Sequence, residues 1–120
     1  MIDLSEEFMD SCTADDLARF VAEGLKPSCL TFAAEILGRK DTAGTHTELL
    51  ISLLSHPVAV VREGAILGLS DHPTAEVVAA ITALRAVELD PGVRSAIADM
   101  VDNWASTQLL FTAPAPGGEL

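Results

Sequence analysis

The sequence predicts an all-α fold, and three observations carry that prediction. Hydrophobic residues make up 49% of the chain but aromatics only 4%, with no tyrosine, and Ala and Leu are frequent, which favours close-packed helices over a strand-rich sandwich. Apolar residues recur at three- and four-residue spacing over successive stretches. Capping residues, glycines and prolines punctuate those stretches at short intervals. A chain of 120 residues forms one domain by length, large enough to bury a continuous core.

The elements follow in order. Ser5 to Ser11 is read as one helical turn with Phe8 and Met9 as its apolar contacts. Thr13 to Asp16 (TADD) sets an N-cap hydroxyl ahead of a carboxylate at N3, and Leu17, Phe20 and Val21 then recur at helical spacing until Gly24. Pro27 and Ser28 open the next helix, striped by Leu30, Ala33, Ala34 and Leu37, with Gly38 as its expected stop. Thr45 to Glu48 (THTE) reads as a second capping box leading into Leu49, Leu50, Leu53 and Leu54, and the helix ends at Ser55 because His56 precedes a proline. A fourth helix runs from about Pro57 to Ser70 and is closed by His72 and Pro73. Thr74 caps a fifth, with Val77, Val78, Ile81 and Leu84 on its buried side, and Asp90 with Pro91 starts a sixth that carries Val93, Ile97, Val101 and Trp104. Leu109 to Phe111 are expected to fold back over the end of the stack, and the tail 113–120, APAPGGEL, to be disordered. Six helices on short loops pair into three antiparallel hairpins, about 13–38, 45–70 and 74–105, behind an acidic cap segment over 1–12, all in a single domain spanning 1–112.

The second helices of the hairpins can be laid on one another. LTFAAEILG, VREGAILGL and VRSAIADMV begin at Leu30, Val61 and Val93, spacings of 31 and 32 residues, and Ala34, Ala65 and Ile97 align four residues on. With an acidic or polar residue and a proline in the preceding loop, then Val-Arg, then small residues one turn later, Pro57 to Leu69 and Asp90 to Val101 resemble HEAT repeats of the short-period variety named after phycobilisome lyases. The first copy departs from the pattern, with Leu30 and Thr31 in place of Val-Arg. The resemblance covers residues 13 to 105 and implies a short right-handed α-solenoid. It also implies a scaffold or adaptor role, since only a minority of such proteins act on tetrapyrrole attachment or DNA bases. In such a stack the middle second helix is covered on several sides, which accounts for PVAVVREGAILGL, apolar but for Arg62 and Glu63. Gly64 and Gly68 would let neighbouring backbones approach, whereas a membrane-helix dimer is excluded because the apolar segment is too short to span.

Charge narrows the partners. Seven Lys and Arg against eighteen Asp and Glu give a net charge of -11, and within the first 24 residues Asp3, Glu6, Glu7, Asp10, Asp15, Asp16 and Glu23 face only Arg19. Nucleic-acid binding draws its affinity from cations at phosphates, so nucleic acid and anionic membranes are both disfavoured. No basic n-region with an apolar h-region opens the chain, and Cys12 and Cys29 are expected as free thiols in a soluble, cytoplasmic protein that is a monomer on its own.

No constellation points to catalysis, a cofactor or a metal. His56 and His72 stand at opposite ends of a helix of about 13 residues, which rises about 20 Å, so they cannot share an ion. His46 and His72 can approach each other beside Glu48 and Asp71 but are read as surface loop histidines. Glu35 and Glu63 are better explained as solvated positions than as an acid and base pair. Arg62 and Arg94, at equivalent helix starts, are read as a structural ladder that bridges to a loop carboxylate or carbonyl of a neighbouring repeat, the alternative being anion binding. The expected function is noncatalytic binding of one protein with a basic or mixed basic and apolar surface. Thr31, Glu35, Glu63, Leu67, Ser95, Asp99 and Asn103, projecting from the second helices, are the expected contacts. The alternative is an acidic inhibitor or immunity-type protein that masks the basic active site of a nuclease or toxin. A chromophore lyase subunit rests on the resemblance alone.

Overall fold

Ser5 turns the chain into α1 (Glu6–Ser11) by accepting the Phe8 N–H, and Thr13 and Asp16 cap α2 (Ala14–Glu23) reciprocally, each side chain accepting the other's backbone N–H. The computed structural model describes residues 3–112 and the side chains as far as residue 105. The Asp16 carboxyl is held below the usual carboxylate range, first by the Thr13 N–H and then by its hydroxyl. Gly24 leaves α2 with φ 107°, a left-handed turn that a side chain would strain, and Pro27 at N1 starts α3 (Pro27–Lys40). The remaining helices are α4 (Thr47–Leu53), α5 (Ala59–Leu69), α6 (Ala75–Val87) and α7 (Pro91–Thr112), so the described residues are all-α. None of these helices is long and apolar enough to cross a membrane.

The helices form two layers. Along one, α3 packs on α5 and α5 on α7; behind it α2 lies on α3, α4 on α5 and on α6, and α6 on α7, within an envelope of 54 × 31 × 20 Å. The core is continuous from Met9 and Leu17 through Leu37, Leu50, Val61 and Leu69 to Ile81, Val93 and Ile97. α5 touches α3, α4 and α7, which is why it needs so little polar surface: Val61, Ala65, Ile66 and Leu69 are all buried. At the closest approach Gly68 lies against the Ala34 carbonyl, Gly64 against Thr31, and Gly38 against Gly68 itself. α1 closes over α3, where Lys40 donates to the Asp10 and Cys12 carbonyls at the end of α1, a cation placed at the negative pole of a helix.

Several elements differ from the sequence reading. Gly38 does not stop its helix; α3 runs to Lys40 and Gly38 is buried because its missing side chain admits α5. The expected capping box at Thr45 is replaced by Asp41, a buried carboxylate that accepts the Thr45 and His46 N–H groups at 2.9 and 2.7 Å, while Thr47 donates to the Gly44 carbonyl. α5 starts at Ala59 rather than Pro57, and Val58 at its N-cap has no side chain able to cap it. Residues 109–111 continue α7 instead of folding back. The expected disorder of 113–120 lies outside the described residues.

Candidate protein-binding groove

α5 and α7 run side by side, and the groove between them, about 340 Å³, is where the expected contact residues gather. Glu63 and Leu67 project from α5; Ser95, Asp99 and Asn103 follow at four-residue spacing along α7; Ile66 and Met100 form the apolar floor. Leu67 is 42% exposed, an apolar anchor offered to solvent, and the Glu63 carboxylate stands against Gly92 on the far wall. Trp104 closes one end by donating its indole N–H to the Ser70 carbonyl at 2.9 Å, which ties α7 to the C-terminus of α5. Glu63 and Asp99 make no ion pair among the described residues, and the groove is lined by no cation. It is an acidic trough with an apolar floor.

Two expected contacts lie elsewhere. Thr31, on α3, is pressed against Gly64, and Glu35 pairs with Arg39 at 3.5 Å, so neither lines the groove. The groove residues that the sequence reading passed over, Ile66, Ser70, Gly92, Ala96 and Met100, are apolar or small. Helical spacing could have found those on α7, since Gly92, Ala96 and Met100 step by four residues, each three ahead of Ser95, Asp99 and Asn103 on the same flank.

The frame that sets the groove is polar and largely buried. Arg62 forks onto Glu88, with Nε donating to Oε1 and Nη2 to Oε2, both at 2.8 Å, and Nη1 donates to the His56 carbonyl at 2.8 Å. Glu88, in the loop between α6 and α7, keeps only 3% of its side chain exposed and also accepts the Asp90 N–H. The Arg62 hydrogen bonds hold the Glu88 carboxyl below the usual range against the opposing effect of burial, and Glu88 in turn raises Arg62. Arg94, at the equivalent position of α7, donates through Nη1 to the carbonyl of Glu88, six residues earlier, as Arg62 does to His56. Asp90 completes the loop by capping α7, accepting the Gly92 and Val93 N–H groups.

A lowered folded-state pKa means that Glu88 stabilises the protein above its unfolded pKa and ceases to do so as pH falls through the folded value. The stability difference between the wild type and Glu88→Gln, measured by urea unfolding over a pH series, should therefore be constant near neutrality. It should shrink below about pH 4, where the unfolded carboxylate protonates. A difference that stays the same down to acid unfolding would show that the Glu88 charge contributes nothing.

The histidines and cysteines are engaged in structure, His56 by accepting the Val58 N–H. His72 is buried in contradiction of its surface-loop reading, and because its Nε2 meets the Gly38 carbonyl at 2.9 Å, Nε2 carries the proton. His46 turns to Asp15 at 2.7 Å, and among the described residues no group of three or more His, Cys, Asp or Glu is placed to hold a metal. Cys12 and Cys29 are free and buried, as the sequence reading has them. The Cys29 thiol donates to Asp3 at 3.1 Å, and Asp3, paired with Lys26 at 2.9 Å, is lowered first by that lysine and then by the thiol. No family model, curated protein or solved structure matches the chain.

Proposed function

We propose that the chain is a noncatalytic protein-interaction module, a short α-solenoid of three HEAT-like hairpins, whose α5/α7 groove receives an element carrying Lys or Arg around an apolar anchor. The observation that carries this reading is the groove itself: two carboxylates without ion-pair partners, Glu63 and Asp99, flank a floor of Ile66 and Met100 beside the half-exposed Leu67. Such a surface suits a cationic partner with one buried apolar side chain, the charges setting orientation and encounter rate and the anchor supplying most of the affinity. The repeat reading is supported by the consecutive packing of α3, α5 and α7, and by the matched bonds of Arg62 and Arg94 to carbonyls six residues upstream. The N-terminal acids favour the inhibitor reading less, because Asp3, Asp15 and Asp16 are already engaged by Lys26, His46, Thr13 and Arg19.

The test compares two charge-reversed variants for binding to proteins captured from the native host. Glu63→Lys with Asp99→Lys should weaken the captured complex about 100-fold, two unfavourable charge contacts at roughly tenfold each. Reversal of Glu6, Glu7 and Asp10 should change it by less than about threefold, the scale of a screened, distant charge. If the N-terminal set is the more damaging and added salt dissolves the complex, the acidic segment is the site and an inhibitor of a basic protein is the better reading.

A further inference from the structure

A second groove, about 690 Å³, opens on the other flank of α7, away from α5. Its lining includes Arg85, Leu89, Arg94, Ala98, Val101 and Asp102. Leu89 and, two residues before it, Val87 are 87% and 72% exposed, the most exposed of the large hydrophobics on the described surface. Among the described residues, α3 and α5 are each covered on both flanks by neighbouring helices; α7 has α5 on one flank and, beside the end of α6, this groove on the other.

The cations of the chain say what belongs there. Arg19, Lys26, Arg39 and Arg62 each pair with a carboxylate, and Lys40 donates to two carbonyls. Arg85 and Arg94 remain, without a carboxylate partner among the described residues, and both line the same groove in a chain of net charge -11. Arg62 shows the filled form of the arrangement, with Nη1 on a carbonyl and the Nε/Nη2 edge on a carboxylate. Arg94 makes the carbonyl bond alone, and its carboxylate-binding edge is open. A planar fork of this kind matches a carboxylate with two parallel bonds.

We propose that the occupant is a second copy of this chain, packed antiparallel along α7 about a two-fold axis at Ala98, so that Arg94 of each copy holds Asp102 of the other. Arg94, Ala98 and Asp102 stand at four-residue steps on one stripe of α7, with the cation and the carboxylate equally far from Ala98. Antiparallel packing about that midpoint sets each Arg94 against an Asp102, and Asp102 has no cation partner of its own among the described residues. The small side chain of Ala98 lets the helices approach at the crossing, and Leu89 and Val101 supply apolar area. Such an interface is isologous and closes at two copies, whereas a head-to-tail stack would propagate. Repulsion between two copies of charge -11 opposes association at low ionic strength, but at physiological salt it is screened beyond about 8 Å while the contact pairs are not. The pair would carry two α5/α7 grooves, and it stands independently of what those grooves bind.

Sedimentation velocity on the full chain, over roughly 1 to 300 µM at physiological salt, should show a monomer–dimer equilibrium. Arg94→Glu and Asp102→Arg should each weaken it at least tenfold, and the two together should restore it to within about threefold of wild type, because the swapped charges meet again across the axis. Ala98→Glu, at the crossing, should split the dimer with both charges in place, and circular dichroism establishes that each variant is folded. A chain that is monomeric throughout overturns the proposal, as does a dimer indifferent to all three substitutions. A dimer lost with Arg94→Glu but kept with Asp102→Arg would place a different carboxylate on Arg94 and equally overturn it.

Discussion

Arg62→Met is expected to lower the free energy of unfolding by about 3 kcal/mol, while Arg94→Met lowers it by less than about 1 kcal/mol. The two arginines occupy equivalent places and share the bond to a carbonyl six residues upstream, so the difference isolates what Glu88 adds. Removing Arg62 leaves a carboxylate with 3% of its side chain exposed and only the Asp90 and neighbouring N–H groups to satisfy it, and an uncompensated buried charge is among the costliest single defects a domain can carry. Removing Arg94 deletes one hydrogen bond from an exposed side chain, and water can replace it. Urea unfolding of the two variants at neutral pH measures the comparison. Equal losses would mean that the carbonyl bond, not the fork onto Glu88, is what matters. A double variant, Arg62→Met with Glu88→Met, should recover most of the loss, since replacing both partners by apolar groups removes the stranded charge along with the pair.

What could be read from the sequence was local. The Thr13 and Asp16 capping box, the left-handed Gly24, Pro27 at N1, the Thr74 cap and the Asp90–Pro91 start are each decided within four residues, and each stands in the structure as read. Asp41 instead holds the turn that precedes α4, accepting N–H groups at four and five residues' remove, where hydrogen bonding depends on how the loop closes rather than on spacing. Glu88 stands 26 residues from Arg62; the resemblance implied a loop partner for the arginine but not which oxygen it would find. The α7 half of the groove was legible because one helix carries Ser95, Asp99 and Asn103 at constant pitch. Thr31 and Glu35 obeyed the same arithmetic on α3 and still fell outside it, because the glycines of α5 draw α3 so close that Thr31 is spent on backbone contact. Periodicity ranks the faces of a helix; it does not measure the distance to the next one.

That distance makes Gly68→Ala the other large effect. On helix propensity alone the substitution should stabilise α5 by about 1 kcal/mol, since glycine is the poorer helix former. The tertiary contact reverses the sign. A Cβ at Gly68 would fall inside contact distance of the Ala34 carbonyl oxygen and 3.4 Å from Leu50 Cδ1, and a backbone carbonyl in the middle of a helix cannot rotate aside as a side chain can. α3 and α5 would have to separate, which loosens the most extensive helix contact in the fold and the packing of Leu37, Ile66 and Leu69 around it. A net destabilisation of about 3 kcal/mol is expected, at the upper end for overpacking because the obstruction is backbone. Gly38→Ala, whose Cβ would meet the Gly68 carbonyl from the opposite side, should cost at least as much. Gly92→Ala is the control: its nearest neighbour is the Asp90 carboxylate at 3.2 Å, which has to yield only a few tenths of an ångström while it caps α7, so the change should stay within about 1 kcal/mol. If Gly68→Ala proves as stable as the wild type in urea while Gly92→Ala behaves as the control, α3 and α5 do not approach as closely as their glycines imply. In that event α5 would sit differently against α7 as well, and the acidic groove between them would have another shape.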